Sequence, residues 1–199
     1  MSFVCGMASS LRAAEPGTIL FFGDSLTAGY GLANPAGDAY PALIQKKIAA
    51  AGLDYRVVNA GLSGETTSGG LRRVDWILRQ PVDVFVLALG ANDGLRGIDP
   101  ALSRNNLDEI LRRVRAKYPA AKLVVAGMQM PPALGAEFTR AFGEMFAAVA
   151  AKHDAALVPF LLEGVGGSER FNQGDRIHPN ADGHVVLAEN VWKILRPLL

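Results

Sequence analysis

The sequence has one cysteine, Cys5, and almost no net charge. A single thiol excludes an internal disulfide framework and a cysteine-rich metal site. There are 20 lysines and arginines against 19 aspartates and glutamates, which gives a formal charge of +1. Neither sign forms a run along the chain. This balance predicts no nucleic-acid partner and no attraction to an anionic membrane surface.

Long hydrophobic runs are also missing, so the sequence predicts no membrane-spanning segment. Residues 1–17 differ from the remainder, because residues 1–14 are mostly small and apolar with a single arginine. Ala13 and Ala14 resemble the end of an export signal, although a positively charged start is missing. We interpret residues 1–17 as a signal-peptide remnant or a disordered extension, and residues 18–199 as one domain. A signal favours a periplasmic or secreted protein, with a cytoplasmic one as the alternative.

The chain contains short apolar runs that alternate with amphipathic segments. Apolar residues at positions 107, 110, 111 and 114 have helical spacing, for example, and Asp38 is placed to cap an earlier helix. Strands alternating with helices predict an α/β protein with a parallel sheet covered on both faces. The apolar runs predict five strands, at residues 19–22, 55–59, 82–89, 122–126 and 157–160.

Small and polar residues follow three of these predicted strands. Ser25 comes after the first strand, Gly61 after the second and Asn92 after the third. The carboxyl ends of parallel strands meet at one edge of the sheet, so we expect these residues to converge there.

Ser25 needs a base before it can act as a nucleophile, and the end of the chain offers one. His178 lies on a turn before a proline, and Asp175 precedes it by three residues. The Asp175 carboxylate can accept the Nδ1–H of the imidazole, which leaves Nε2 facing the serine. The Ser25 N–H, the Gly61 N–H and the Asn92 side-chain amide are then candidate donors to an oxyanion.

Other polar residues have simpler interpretations. Asp24 and Asp93 are predicted to hold their turns through backbone N–H groups. His153 is interpreted as a solvated surface residue, and His184 as a partner of local backbone. Neither histidine has a companion at metal-ligand spacing, so no metal site is predicted.

Five residues are candidates for contact with a substrate. Tyr30 and Leu32 lie in the loop after the predicted nucleophile, and Met130 and Pro131 follow the fourth strand. Phe138 begins the next helix. Flexible methionine surface suits an acyl chain, so these side chains are predicted to line an acyl pocket.

Four short motifs in order resemble the blocks of the SGNH (GDSL) hydrolases. They are Gly-Asp-Ser-Leu at residues 23–26, Gly61, Gly-Ala-Asn-Asp at residues 90–93, and the pair Asp175 and His178. The resemblance covers roughly residues 18–199, and within that superfamily the chain resembles the bacterial thioesterase I, arylesterase and lysophospholipase branch. One position differs from some relatives, because Ala91 stands where they carry a second glycine.

The resemblance implies a fold, a mechanism and a set of residues. It implies a flavodoxin-like three-layer architecture of about five strands, and no metal or cofactor. Ser25 would be the nucleophile, Asp175 and His178 its partners, and Gly61 and Asn92 oxyanion donors. The implied partner is a small acyl ester, thioester or lysophospholipid.

Two other functions remain open at this point. A carbohydrate O-deacetylase would use the same catalytic residues, so the motifs do not exclude it. A flavodoxin-like phosphate- or nucleotide-binding module would use the Ser/Thr/Gly-rich turn at residues 25–29 to hold a phosphate. That second reading leaves Asn92 and His178 without a role.

Overall fold

A computed structural model describes residues 15–199, in which five parallel strands form one sheet. The spatial order is β2-β1-β3-β4-β5. This confirms the predicted flavodoxin-like α/β fold, since that order defines the doubly wound class. The strands are β1 (Gly17–Gly23), β2 (Tyr55–Gly61), β3 (Val84–Ala88), β4 (Lys122–Ala126) and β5 (Ala156–Val158).

Helices cover both faces of the sheet. One face carries α3 and α8, which pack against each other, and the other carries α4, α6 and α7 in a row. Within residues 15–199, no helix has the length and apolar character needed to cross a bilayer. The helices are α1 (Ser25–Ala28), α2 (Pro35–Asp38), α3 (Tyr40–Ala50), α4 (Thr67–Ile77), α5 (Ala91–Leu95), α6 (Pro100–Lys117), α7 (Ala136–Lys152) and α8 (Ala181–Leu195).

The segment of residues 1–17, interpreted as a signal-peptide remnant or a disordered extension, lies almost wholly outside the described residues. Of residues 1–17, the structure includes only the last three, and Gly17 already pairs with Tyr55 in the sheet. Cys5 is outside as well. The interpretation of this segment and of its cellular location stays a prediction.

The apolar runs become the centre of the core. Residues 19–22 of β1 and 84–86 of β3 have no solvent exposure, as expected for central parallel strands covered on both faces. The helical positions Leu107, Ile110, Leu111 and Val114 are also fully buried, which confirms that face of α6. The hydrophobic effect therefore holds the sheet between its two helical layers.

The chain changes direction across β1, and that places the site. From β1 it crosses to β2 on one side, and from β2 to β3 on the other, so β1 lies between them. A crevice opens where such crossovers diverge, at the carboxyl ends of the strands. Ser25 follows β1 and Asn92 follows β3, which sets both at this crevice.

Three local predictions are wrong. Asp38 does not cap the helix after it, because it ends α2, and Ala39 precedes α3 without a side-chain cap. His153 is not a solvated surface residue, since its side chain is 11 % exposed and its Nε2 lies 2.7 Å from an Asp108 carboxylate oxygen. His184 contacts distant backbone instead of local backbone: the Tyr40 N–H donates to its Nδ1 at 3.2 Å.

We expect His184 to destabilise the folded state as the pH falls from about 7 to about 4. Burial lowers the pKa of His184 to about 4, whereas an unfolded histidine has a pKa of about 6.5. Between these values the unfolded state binds more protons, so the free energy of unfolding decreases as the pH falls. The loss should be about 2–3 kcal/mol.

The measurement is urea unfolding of wild type and His184→Gln across this pH range. Asp24 has the opposite pH dependence, because burial raises its pKa to about 7 and its contribution is lost as the pH rises. Both proteins contain Asp24, so its contribution cancels when the free energy of unfolding of His184→Gln is subtracted from that of wild type. The advantage of wild type at neutral pH should shrink toward pH 4; a difference that stays constant with pH would contradict the assignment.

Candidate active site

A tight turn at the end of β1 presents Ser25. Asp24 caps α1, with its Oδ1 accepting the Leu26 N–H at 3.0 Å, as the sequence predicts. Gly23 has no room for a side chain, because a Cβ would lie 2.0 Å from Thr27 Oγ1 and 2.8 Å from the Ala88 carbonyl oxygen. Close packing on both sides therefore holds Ser25 at the start of α1.

Ser25, His178 and Asp175 form one hydrogen-bonded chain. His178 Nε2 lies 3.0 Å from Ser25 Oγ, and His178 Nδ1 lies 2.6 Å from Asp175 Oδ2. These distances match those that a nucleophile, its base and an acid that orients the base require. The structure brings together all three residues that the sequence singled out.

Asp175 is fixed as a carboxylate by its own turn. Its Oδ1 accepts the N–H groups of Ile177 at 2.9 Å and of His178 at 3.0 Å. Hydrogen bonds from the His178 backbone, the His178 ring and the Ile177 backbone lower the pKa of Asp175 to about 2. The carboxylate is therefore an acceptor at every pH near neutrality. Nδ1 must hold its proton toward it, which leaves Nε2 free to accept one.

The turn that carries His178 is anchored at both ends. Asn172 and Pro179 form an isolated antiparallel bridge, and the Gln173 N–H donates to the His178 carbonyl at 2.8 Å. The Gln173 side chain also donates to the Tyr30 carbonyl at 2.7 Å, which ties the turn to the loop after α1. Gln173 could not be predicted from the sequence, because its partner Tyr30 lies far away in the chain.

One amide hydrogen of Asn92 is engaged, and the other has no acceptor among residues 15–199. Its Nδ2 donates to the Glu65 carbonyl at 3.0 Å, and a side-chain amide nitrogen carries two hydrogens. Asn92 also lines the cavity beside Ser25. The neighbouring Asp93 is structural, but it does not hold its own turn as predicted: its fully buried carboxylate accepts the N–H of the distant Thr67 at 2.8 Å and the Thr67 hydroxyl at 2.6 Å.

Gly61 does not present an open N–H, and that prediction is wrong. Its N–H donates to Asn59 Oδ1 at 2.9 Å. The glycine is required for another reason, since a Cβ there would lie 2.3 Å from the Ala28 backbone nitrogen. Close packing of β2 against α1 therefore accounts for Gly61.

An apolar cavity of about 430 Å³ opens beside Ser25. Met130 and Pro131 line it, as the sequence predicts. Its other lining residues are Ser25, Leu26, Ala91, Asn92, Leu95, Met128, Gln129, Phe160, Leu162, Gly166, Gly167, Arg176, Ile177 and His178.

Three predicted substrate contacts are not part of the cavity lining. Tyr30 is exposed and its ring lies against His178, with the ring centroids 4.7 Å apart. Leu32 is half-buried outside the cavity lining. Phe138 stacks on Phe142, with ring centroids 6.0 Å apart, and packs against the core.

Two further segments contribute cavity walls that were not predicted from the sequence. Residues 160–167 follow β5, and Leu95 ends α5. The available signal was position, because both segments come after the carboxyl end of a strand, where ligands of such sheets bind.

Comparison with known proteins gives consistent matches along the chain. Residues 21–186 match the GDSL-like Lipase/Acylhydrolase family. Esterase TesA of Pseudomonas aeruginosa is 45% identical over 183 residues, which cover 92% of this chain and 89% of that protein. Thioesterase 1/protease 1/lysophospholipase L1 of Escherichia coli is 37% identical over 191 residues, 96% of this chain and 88% of that protein. The crystal structure of TesA aligns with a TM-score of 0.85 over 92% of this chain and 99% of its own.

Proposed function

Because the chain belongs to the GDSL-like lipase/acylhydrolase family, we propose that it is a serine esterase that hydrolyses acyl esters and thioesters through an acyl-enzyme. The observation that carries this is the chain of hydrogen bonds from Ser25 through His178 to Asp175. That chain ends at an apolar cavity. The printed names of the two relatives, an esterase and a thioesterase 1/lysophospholipase L1, support the same substrate class.

In the first half of the reaction Ser25 Oγ attacks the acyl carbonyl carbon. His178 Nε2, 3.0 Å away, takes the hydroxyl proton as the new C–O bond forms. The ionised Asp175 stabilises the resulting imidazolium. As the tetrahedral intermediate collapses, the bond to the leaving oxygen or sulfur breaks, and His178 returns the proton to it.

In the second half a water molecule replaces the leaving group. His178 Nε2 removes a proton from the water, whose oxygen attacks the acyl carbon of the ester on Ser25. Collapse of the second intermediate releases the carboxylic acid and returns the proton to Ser25 Oγ. No cofactor is needed to balance either half.

The oxyanion of each intermediate needs N–H donors. The Ser25 N–H belongs to the first turn of α1, where helical N–H groups have no partner within the helix. Asn92 contributes its free amide hydrogen. Gly61 is engaged, so the third candidate is Gly64: its N–H has no acceptor within residues 15–199, and it precedes the carbonyl that Asn92 binds.

The cavity favours an acyl chain over a sugar. Met128, Met130 and Leu162 supply apolar surface, and Phe160 is the one phenyl ring in the lining. Sugars are bound by stacking on aromatic rings and by many hydrogen bonds, which this lining offers sparingly. A methionine-rich wall adapts to flexible alkyl chains.

The direct test is hydrolysis of p-nitrophenyl esters from acetyl to palmitoyl, with matched acyl thioesters in parallel. We expect kcat/KM to rise about fourfold per methylene until the cavity is filled, since each buried methylene is worth about 0.8 kcal/mol. Hydrolysis of acetylated sugars without activity on these esters would overturn the proposed function in favour of a deacetylase.

Filling the cavity should shorten the preferred chain. Leu162→Trp places a large ring in the lining, and exclusion of about three methylenes should lower kcat/KM for long-chain esters roughly 50-fold. Acetyl esters should react as before. The matched control is Leu102→Trp, at an exposed position of α6 away from the cavity. An equal loss for short and long esters would contradict this assignment of the acyl site.

A further inference from the structure

A largely buried ion pair lies beneath the loop that follows β2, and the proposed mechanism does not use it. The side chains of Glu65 and Arg73 are 4% and 20% exposed. Arg73 Nε donates to Glu65 Oε1 at 2.8 Å, and its Nη2 donates to Oε2, so the pair is bidentate. Nη2 also donates to the Ala60 carbonyl at 2.9 Å. The guanidinium carbon lies 4.3 Å from the centre of the Phe22 ring.

These contacts join the three backbone segments that form the site. Phe22 belongs to β1, three residues before Ser25, and Ala60 belongs to the end of β2. Glu65 closes the loop after β2 and accepts Asn92 Nδ2 on its own carbonyl oxygen at 3.0 Å. A single guanidinium thus fixes the distance between the nucleophile's strand and the group that orients Asn92.

Stability alone is a weak reason for such a pair. Removing two charges from water is costly, and apolar replacements of buried ion pairs are often neutral or stabilising. What a bidentate arginine–carboxylate pair adds is fixed geometry, because the planar fork matches the carboxylate. That geometry is valuable where a donor must lie about 2.7–3.1 Å from the position of the oxyanion.

We propose that Arg73 and Glu65 are positioning residues for the oxyanion site, an inference that rests on the proposed function. They hold the Glu65 carbonyl in place, which aims the free hydrogen of Asn92, and they hold the loop that contains the Gly64 N–H. The acyl cavity is lined by other residues. Loss of the pair therefore weakens transition-state stabilisation and leaves substrate binding unchanged.

The test compares Arg73→Met with a matched control, Arg113→Met. Arg113 also pairs with two carboxylates, Glu109 at 2.9 Å and Asp75 at 2.7 Å, but its hydrogen bonds go to α4 and α6 and not to the loop after β2. Arg73→Met should lower kcat roughly 10- to 100-fold with KM within about threefold, since small displacements of catalytic groups have effects of this size. Arg113→Met should leave kcat unchanged.

Two more variants distinguish a loss of positioning from a loss of folding. Arg73→Met with Glu65→Gln leaves no unpaired buried charge and should fold, yet show the same fall in kcat. Arg73→Lys keeps the charge without the planar fork, so it should restore kcat only in part. Full activity in the folded double variant would overturn the proposal.

A double-mutant cycle with Asn92→Ala decides the route of the effect. If Arg73 acts through Asn92, then Arg73→Met should cost much less in the Asn92→Ala background than in wild type. An unchanged cost in that background would overturn the route through Asn92. The proposed function fails separately: full activity of Ser25→Ala would refute it, whereas an essential Ser25 with silent Arg73 variants would refute only the positioning role.

Discussion

Ser25→Ala is expected to lower kcat by at least about 10⁴-fold, the largest effect of any single substitution in this protein. The substitution removes the atom that forms the acyl-enzyme in the proposed mechanism, and His178 Nε2 loses its hydrogen-bond partner at 3.0 Å. The cavity and the Asn92 amide are untouched, so substrate should still bind. Residual hydrolysis would come from water attack assisted by the oxyanion donors, which is orders of magnitude slower.

The measurement is steady-state hydrolysis of a medium-chain p-nitrophenyl ester, together with thermal unfolding of the variant. The matched control is Ser68→Ala, another serine at the start of a helix, whose hydroxyl accepts the Asn106 amide at 2.9 Å outside the cavity lining. It should keep wild-type kcat. If Ser25→Ala is folded and retains even a tenth of wild-type activity, Ser25 is not the nucleophile.

Asn92→Ala is expected to lower kcat about 10²- to 10³-fold, with KM little changed. Loss of one oxyanion donor typically costs about 2.7–4 kcal/mol in the transition state. The lost bond to the Glu65 carbonyl, 3.0 Å long, should cost about 1 kcal/mol of folding stability at most, because Asn92 is only half-buried. We therefore expect a large fall in kcat and only a small loss of folding stability.

Asn92→Asp sharpens this prediction. The aspartate has nearly the same shape but carries no N–H, and its charge repels a developing oxyanion, so kcat should fall at least as far as in Asn92→Ala. Asn106→Ala is the control, since Asn106 donates to Thr67 and Ser68 away from the cavity. Wild-type kcat in either Asn92 variant would remove the residue from the oxyanion site.

Much of the fold could be predicted because its signals are local. The run at residues 122–126 coincides with β4, and helical spacing at residues 107–114 coincides with the buried face of α6. The ends of the strands were predicted less accurately. β5 is Ala156–Val158, so it begins one residue earlier than predicted and ends two residues earlier. Strand ends depend on pairing with a neighbour, which residue type alone does not specify.

The same distinction between local signals and contacts with distant segments applies to the candidate site. Asp175 and His178 are three residues apart, so their contact could be predicted from their spacing in the sequence. That Ser25 and Asn92 share an edge followed from parallel strands. The Gly61 N–H was predicted wrongly, because the Asn59 side chain that accepts it turns back along the same strand end. Nothing in the residue types distinguishes that hydrogen bond from a free donor.

The sequence by itself determined the alternation of strands and helices, the strand-end placement of Ser25 and Asn92, and the Asp175–His178 turn, since each depends on residues close in the chain. Only the tertiary structure decided which N–H groups are free, which side chains line the cavity, and that Tyr40 and His184 are partners. These depend on contacts between segments far apart in the chain. Their geometry is set by how layers of helices pack on the sheet, to within tenths of an ångström, and local propensity carries no such information.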